Sequence, residues 1–218
     1  MDNRIYGIIG GTGPEGKGIA LRLSRMGLNV TIGSRDKNKA KSTVEEISKI
    51  LPDAKLNYDV NSLICKNSDI LFLATPYVAQ KSILQTNANQ LTDKILINVV
   101  APIEFKNGKF RAVYVPEGSA ANQTQTLLPH TKVVSALQTI SAKHLMEINK
   151  EVKSDVIVCS DFEDAKIIAM DLISKIPTLT TIDGGDLENS VYVENFTALL
   201  LNINKRYKVH SSIKILGV

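Results

Sequence analysis

The feature that most restricts the fold of this chain is a glycine-rich segment near its start. Residues 8–18 read Ile-Ile-Gly-Gly-Thr-Gly-Pro-Glu-Gly-Lys-Gly, so the spacing GxGxxG falls on Gly11, Gly13 and Gly16. The segment stands between an apolar strand-like run and a helical pattern. In that setting the first glycine permits a tight turn, the second clears a path for a pyrophosphate, and the third lets helix and strand pack closely. The segment predicts a dinucleotide-binding βαβ unit.

The predicted start of this first helix favours an anion, because exposed amides and the helix dipole point at it. Pro14 lacks an N–H but fits the first helical turn. The alternative is a plain tight connection, as in any flavodoxin-like protein, but turn chemistry alone seldom needs glycine at all three positions.

The end of the second predicted strand indicates which dinucleotide binds. In units that prefer NAD, an acidic side chain stands there, about 20 residues past the glycine-rich fingerprint GxGxxG, and binds the ribose 2′-hydroxyl. This chain instead offers Ser34, Arg35 and Lys39, which can donate hydrogen bonds and positive charge to a 2′-phosphate. Asp36 is interpreted as the N-cap of the next helix. The sequence therefore predicts NADP(H) as cofactor.

Short β-branched runs alternate with helical patterns over the first half of the chain, which is typical of βαβ units. Near-continuous apolar runs at 69–74 and 94–100 indicate strands buried on both faces of a parallel sheet. The predicted fold is α/β, a doubly wound parallel Rossmann sheet over residues 1–140, with a smaller α/β segment, 141–218, that covers the cofactor cleft. The predicted strands are 4–9, 29–32, 56–58, 69–74, 94–100, 132–137 and 155–159. The predicted helices are 16–26, 37–51, 119–128, 162–176 and 193–205, and a hairpin is predicted over 105–115 around Asn107-Gly108.

Composition excludes several other classes of protein. A chain of 218 residues with 44% hydrophobic residues can bury a full core. Its longest apolar stretches are shorter than the roughly 20 residues of a membrane-spanning helix, and its start does not resemble a signal peptide, so we expect a cytoplasmic protein without membrane contact. The net charge of +4 is scattered, without the concentrated basic face that a nucleic-acid partner requires.

No residues have the spacing of a metal site. Cys65 and Cys159 lie far apart and are expected to be buried apolar fillers. The acidic segment 183–190 lacks the spacing of a calcium-binding loop. We therefore predict no metal and no disulfide. None of the three histidines, His130, His144 and His210, lies in a recognisable base motif, and each is expected on a surface or helix face.

Several segments together resemble a known family. GGTGPEGKGIALRLSRMG, GSRDKNKA, TPY after the fourth strand, VVSALQTI and IDGGDLENS are similar to the NADPH-dependent reductases of coenzyme F420, a deazaflavin. These enzymes are also called F420H2:NADP oxidoreductases. The similarity runs in order from residue 5 to about 201. It implies hydride transfer between NADP(H) and coenzyme F420 as co-substrate, with small-molecule partners.

The resemblance also implies roles for individual residues. The turn from Thr12 through Pro14 to Glu15, together with the fingerprint glycines, would hold the pyrophosphate, and the serine and cations after the second strand would hold the 2′-phosphate. The nicotinamide half of the groove would be lined by Thr75, Ala101 and Ala142. The deazaflavin would stack across Val100, Ala101, Gln138 and Ile140.

Hydride transfer between two rings needs placement and exclusion of water, not a protein nucleophile, so no catalytic side chain is expected. Gln138 could bond a carbonyl of the acceptor ring or satisfy local backbone. His144, near the SALQTI segment, is the test of general acid catalysis.

The chain departs from the family pattern on the deazaflavin side. Family members carry histidine at Gln138 and proline at Ser141, and their glycine-containing tail is replaced here by residues 205–212. Two alternatives therefore stay open. One is an NADPH-dependent reductase of an imine, ketone or flavin. The other is a non-catalytic NADP-responsive binding protein with a filled acceptor cleft. The apolar run 196–203 indicates buried packing, for which a homodimer interface is one use.

Overall fold

The computed structural model describes residues 3–151 and 153–218, in which strands and helices alternate along most of the chain. The strands are β1 (Ile5–Ile9), β2 (Asn29–Ser34), β3 (Leu56–Val60), β4 (Ile70–Leu73), β5 (Ile95–Asn98), β6 (Ile103–Lys106), β7 (Lys109–Ala112), β8 (Lys132–Ser135), β9 (Ser154–Val158) and β10 (Leu179–Asp183). The helices are α1 (Pro14–Arg25), α2 (Lys37–Ile50), α3 (Asn61–Asn67), α4 (Tyr77–Thr86), α5 (Ala88–Leu91), α6 (Ala120–Leu127), α7 (Ala142–Met146), α8 (Glu163–Ser174) and α9 (Ser190–Tyr207).

The central sheet has six strands in the order β3-β2-β1-β4-β5-β8. Each neighbouring pair is parallel. The strand order reverses between β1 and β4, and ligands of open α/β sheets bind outside the carboxyl ends of the strands at such a point. The predicted doubly wound Rossmann sheet is therefore confirmed.

Alternate residues of the central strands pack into different clusters, as the two-residue period of a strand requires. Ile8 and Phe72 belong to the larger cluster, whereas Ile9 and Leu71 belong to the smaller one. All four side chains are almost fully buried. Helices therefore cover both faces of the sheet, which explains the near-continuous apolar strands.

Two small sheets accompany the central one. Strands β9 and β10 pair in parallel, and an antiparallel bridge between Ser135 and Cys159 links this pair to the end of β8. Strands β6 and β7 form the predicted hairpin. Asn107 and Gly108 both have positive φ, 52° and 75°, as the favoured two-residue hairpin turn demands. The hairpin prediction is confirmed.

The segment after β8 returns to the first helix of the sheet. Buried Arg22 of α1 donates hydrogen bonds to the backbone oxygens of Leu145, His144 and Glu147, at 2.9, 2.6 and 3.0 Å. Leu145 also packs against Gly18, where a Cβ would lie 2.5 Å from the Leu145 Cβ. Helix α7 is thereby held against α1, next to the glycine-rich turn.

Both cysteines are buried, as predicted. Burial raises the pKa of the Cys65 thiol to about 12 and that of the Cys159 thiol to about 11, so neither thiol forms the reactive thiolate at neutral pH. In the described ranges, no helix combines the length and apolar character needed to cross a membrane.

Candidate functional site

The glycine-rich turn joins β1 to α1 and is held by neighbouring strands. The Gly11 amide donates to the Gly33 carbonyl at 2.8 Å, and the Gly10 amide donates to Asn61 Oδ1 at 3.2 Å. Gly10 has a φ of +74°, a conformation that L side chains rarely adopt. These contacts fix the turn at the carboxyl edge of the sheet.

Gly13 leaves open space at the start of α1. A Cβ at this position would meet nothing nearer than the Gly10 carbonyl oxygen, at 3.8 Å. Gly13 is the N-cap of α1 and no side chain caps this helix end, while Pro14 occupies the first turn. An uncapped helix start beside open space is suited to an anion, and it fits the pyrophosphate of a dinucleotide.

A groove of about 730 Å³, here called the cationic groove, runs from this turn to the end of β2. Thr12, Ser34, Arg35 and Lys39 line it. Within residues 3–151 and 153–218, neither Arg35 nor Lys39 forms an ion pair, and both are exposed. The two cations therefore have no acidic partner from the protein and are available to a phosphate.

Two other lysines of α2, Lys37 and Lys41, each lie near a carboxylate. Lys37 pairs with Asp59 at 3.0 Å, and Lys41 lies 3.9 Å from Glu45. Asp36 caps α2, because its Oδ1 accepts a 2.9 Å hydrogen bond from the Asn38 amide, which confirms the predicted N-cap. The positive charge left at the groove fits a 2′-phosphate.

A second space of about 310 Å³, the central pocket, follows the cationic groove along the sheet edge. Thr75, Val100 and Ala101 line it, and Gly13 and Thr75 line both spaces. Among the described residues, the buried Thr75 Oγ1 has no hydrogen-bond partner. The pocket is thus mostly apolar with a polar atom free for a ligand, as small-molecule sites usually are.

A third space of about 850 Å³, the C-terminal cavity, lies beyond the central pocket. Its walls include Ile140 and Ala142 after β8, Phe110 of the hairpin, and Thr197 and Leu200 of α9. Basic side chains also line it, at Lys143, Lys205, Lys208 and His210. The cavity is large enough for a second ring system and favours an anionic ligand.

The hairpin wall of the C-terminal cavity is tied to α9. Asn202 accepts a 3.0 Å hydrogen bond from the Phe110 amide and donates a 2.8 Å hydrogen bond to the Phe110 carbonyl. Lys205 lies over the Phe105 ring, with its nitrogen 4.9 Å from the ring centroid. These contacts join the hairpin to the last helix at the wall of the C-terminal cavity.

Pro14, Glu15 and Gln138 line both the central pocket and the C-terminal cavity. Gln138 Nε2 donates to the Asn98 carbonyl at 2.9 Å and lies 2.8 Å from Ser135 Oγ. Those contacts leave Gln138 Oε1 buried without a partner among the described residues. Glu15 Oε1 is in the same situation, and burial raises the pKa of this carboxyl to about 8.

Comparison with known proteins agrees with this geometry. A family model described as NADP oxidoreductase, coenzyme F420-dependent, matches residues 5–102. The F420-dependent NADP reductase of Methanocaldococcus jannaschii is 34% identical over 207 residues, which cover 92% of this chain and 92% of that protein. That of Methanothermobacter thermautotrophicus is 36% identical over 211 residues, which cover 94% and 91%.

This chain belongs to the F420-dependent NADP reductase family. Among solved structures, a candidate F420-dependent NADP reductase of Arthrobacter sp. FB24 matches 98% of this reductase-family chain and 99% of its own, with a TM-score of 0.84 and 23% identity. A likeness at that identity establishes the shared fold.

The structure separates some residues that the family resemblance grouped together. Ala142, expected beside Thr75 and Ala101, lines the C-terminal cavity with Ile140. Glu15, expected at the pyrophosphate, lines the central pocket and the C-terminal cavity. In this member of the reductase family, both residues therefore line the C-terminal cavity.

Two site-shaping asparagines were missed by sequence reasoning. Asn61 holds the glycine-rich turn through Gly10, and the buried Asn98 Oδ1 accepts a 2.8 Å hydrogen bond from the Val100 amide. In the structure both residues lie at or just past the carboxyl end of a strand, which is where Rossmann-type sites lie. A polar residue near the end of an apolar run was the available signal.

His144 lies on α7, with its ring centroid 5.5 Å from that of His210. Burial, followed by the charge of His210, lowers the pKa of His144. Within the described ranges, His144 lines none of the three spaces. For this reductase-family chain, the position of His144 offers no support for the general acid role considered from the sequence.

Proposed function

We propose that this chain catalyses hydride transfer between NADP(H) and coenzyme F420, with the dinucleotide in the cationic groove and central pocket and the deazaflavin in the C-terminal cavity. The observation that carries the proposal is the shared wall of Pro14, Glu15 and Gln138, at which the two ring-sized spaces meet. A hydride donor and acceptor must approach within about 3 to 3.5 Å, which adjoining compartments permit.

The dinucleotide would be bound at two groups, its pyrophosphate and its 2′-phosphate. Gly11, Gly13 and Gly16 leave the backbone of the turn and the α1 start accessible to the pyrophosphate, with Thr12 beside them. The 2′-phosphate would lie against the Ser34 hydroxyl and the two uncompensated cations of the cationic groove. Since these cations have no acidic partner in the described residues, binding NADP breaks no internal ion pair there.

A bound nicotinamide ring would supply or accept the hydride, and the protein would position it. Thr75, Val100 and Ala101 give the central pocket small and apolar walls, and Thr75 and Val100 are nearly fully buried. Such walls exclude water from the reacting carbons and hold the rings in place, which is the protein's main contribution to hydride transfer.

Gln138 would orient the acceptor ring. Its amide nitrogen is directed to Asn98 and Ser135, so the free group is the carbonyl oxygen, which accepts hydrogen bonds. Gln138 would therefore bind an N–H of the ring rather than the ring carbonyl considered from the sequence. Ile140 and Ala142 would provide apolar contacts nearby.

A spectrophotometric assay tests this function. NADPH is mixed with the purified protein and purified deazaflavin, with FMN and riboflavin as comparison acceptors. We expect loss of the deazaflavin's visible absorbance at a rate proportional to protein concentration. Turnover of FMN or riboflavin but not of the deazaflavin would favour the broader NADPH-dependent reductase, and binding of NADPH without turnover of any acceptor would favour a binding protein.

We also propose that residues 1–140 act as the NADP-binding domain and residues 141–218 as the segment that closes the substrate cleft. A homodimer would use α9, where Tyr192, Phe196 and Leu199 expose apolar surface at helical spacing. Light scattering on the wild type and on Phe196→Glu tests the dimer, since the charge should yield monomers. Cytoplasmic location and the absence of a nucleic-acid partner stay predictions from the sequence.

A further inference from the structure

Two unpartnered oxygens lie where the central pocket meets the C-terminal cavity. Oε1 of Glu15 and Oε1 of Gln138 are buried and have no hydrogen-bond partner among the described residues. Both residues line both spaces. A buried polar atom without a partner costs on the order of 1–3 kcal/mol, so two of them on a ligand-facing wall point to a ligand that supplies the missing partners.

The two groups are chemically different. Gln138 keeps its amide nitrogen on Asn98 and Ser135, so at the wall it can only accept a hydrogen bond. Glu15 is the only carboxyl group among the described residues that line these two spaces. In its acid form it is a donor and can also release a proton.

The proposed reaction requires a proton. The reduced coenzyme, F420H2, carries two added hydrogens, whereas NADPH supplies one hydrogen with its electron pair as hydride. The second hydrogen must reach the acceptor ring as a proton. A protein acid beside the acceptor can supply it within the closed site.

We propose that Glu15 is the proton donor of this reaction, a catalytic role beyond cofactor binding. The inference rests on the proposed function. In the step, a C–H bond of the reduced nicotinamide breaks and its hydride forms a C–H bond on the deazaflavin. The O–H bond of Glu15 breaks, and its proton bonds to the ring nitrogen that takes up the negative charge. NADPH is oxidised, the deazaflavin is reduced, and the Glu15 carboxylate regains a proton from water.

The surroundings of Glu15 keep it in the acid form at neutral pH. Lys143 of α7, Lys205 of α9, and Lys208 and His210 after α9 line the same C-terminal cavity and would favour a carboxylate. Burial raises the pKa of Glu15 to about 8. His210 is exposed and does not line the central pocket, so it is the poorer donor by position.

The test compares Glu15→Gln with the wild type in NADPH-dependent reduction of the deazaflavin from pH 6 to 10. Glutamine has the same shape but no transferable proton. We expect kcat to fall by about 10²- to 10⁴-fold, with the Kd for NADPH unchanged within about twofold. The wild-type rate should decline as the pH rises through about 8, and the variant should lack this decline. Glu15→Asp should restore part of kcat.

Glu194→Gln serves as the matched control, because Glu194 is a buried carboxyl that lines neither space. It should leave kcat near the wild-type value. A second readout is independent of turnover: carboxyl ¹³C NMR of the NADP⁺ complex should show a glutamate titrating near pH 8 that persists in Glu194→Gln and is lost in Glu15→Gln.

An active wild type with an equally active Glu15→Gln and the same pH profile would overturn the inference and leave the proposed function standing. A wild type without deazaflavin turnover would overturn both. If Glu15→Gln does not fold, the NMR titration of wild type and Glu194→Gln decides, and absence of the resonance near pH 8 overturns the proton-donor role.

Discussion

The Glu194 carboxylate of α9 accepts a 2.7 Å hydrogen bond from the backbone amide of Ala120, at the start of α6. A second bond, of 3.1 Å, comes from the Ala121 amide. Glu194 is thus a cap for a helix that begins 74 residues earlier in the chain. Despite these bonds, burial dominates and raises the pKa of Glu194 to about 7.

This relationship predicts a pH-dependent stability. Because the folded pKa lies above the ordinary value of 4.5, the folded protein holds the proton more tightly, and its stability falls as the pH rises from about 4.5 to 7. Glu194→Gln cannot ionise. The free energy of unfolding of the wild type relative to this variant should therefore fall by about 3 kcal/mol over that window and stay flat above it.

Urea unfolding at several pH values measures this difference. Glu188→Gln, on the exposed turn before α9, is the control and should not change the shape of the curve. A difference between wild type and Glu194→Gln that is independent of pH would show that Glu194 is ionised to the same extent in both states.

The three fingerprint glycines predict two separable effects. A Cβ on Gly16 would lie 2.6 Å from the Gly11 Cα, so Gly16→Ala should lower the free energy of unfolding by about 1–3 kcal/mol through overpacking. Gly13 has an ordinary φ of −76° and open space for a Cβ. The free energy of unfolding of Gly13→Ala should therefore lie within about 0.5 kcal/mol of the wild-type value. Its affinity for NADPH should fall at least about tenfold.

Thermal unfolding and calorimetry with NADPH check the pair. Gly16→Ala is the stability probe and Gly13→Ala the binding probe, and each serves as the control for the other. Full NADPH affinity in a folded Gly13→Ala would reject the pyrophosphate site at the start of α1.

From the cationic groove we predict that loss of Arg35 weakens the binding of NADPH more than that of NADH. Its guanidinium has no acidic partner in the described ranges, so the 2′-phosphate is its natural counter-charge. A charge-assisted hydrogen bond contributes about 1.5–3 kcal/mol. Arg35→Ala should therefore weaken the binding of NADPH about tenfold or more, whereas the binding of NADH should change little.

Calorimetric Kd values for both cofactors make this comparison. Lys41→Ala removes a nearby charge that already faces Glu45, and it should leave the ratio of the two Kd values unchanged. Equal weakening of NADPH and NADH by Arg35→Ala would remove the reason to assign NADP to this groove.

Local features of this chain could be predicted from sequence, since their physical causes lie within a few residues. Strand β4 was predicted as 69–74 and runs from Ile70 to Leu73, because both its faces are buried. The glycine-rich turn and the cationic residues at the end of β2 could be predicted from sequence in the same way. Helix α4 was missed because one of its buried residues, Gln80, is polar: its Nε2 donates to the Ala120 carbonyl at 2.9 Å, which hides the apolar period.

Strand β10 was also missed. Its sequence, Leu-Thr-Thr-Ile-Asp, has one buried residue, so it lacks the apolar run that marked the central strands. The C-terminal cavity could not be predicted as a shape, because its walls come from distant parts of the chain, such as Phe105, Gln138 and Leu200. Only tertiary packing brings a hairpin, a strand end and the last helix together.

From the contacts of Arg22 we predict that its side chain stabilises helix α7 at the wall of the C-terminal cavity. Its side chain is 2% exposed and donates hydrogen bonds to backbone oxygens of α7 and of the residues after it. Arg22→Ala therefore leaves several carbonyls without their donor at once. Hydrogen bonds to charged groups contribute about 1.5–3 kcal/mol each, and the loss in unfolding free energy should be on the order of 3 kcal/mol or more.

Arg25 is the matched control, on the same helix and one turn away. It is exposed and donates to the Ile148 carbonyl at 2.6 Å and to Asn149 Oδ1 at 3.2 Å, so Arg25→Ala should cost less than about 1 kcal/mol. Because α7 carries Ala142, Arg22→Ala should also raise the KM for the deazaflavin more than the Kd for NADPH. Urea unfolding and steady-state kinetics measure both effects. If the two alanine variants lose equal stability, apolar contacts such as that between Leu145 and Gly18 hold α7 without help from Arg22.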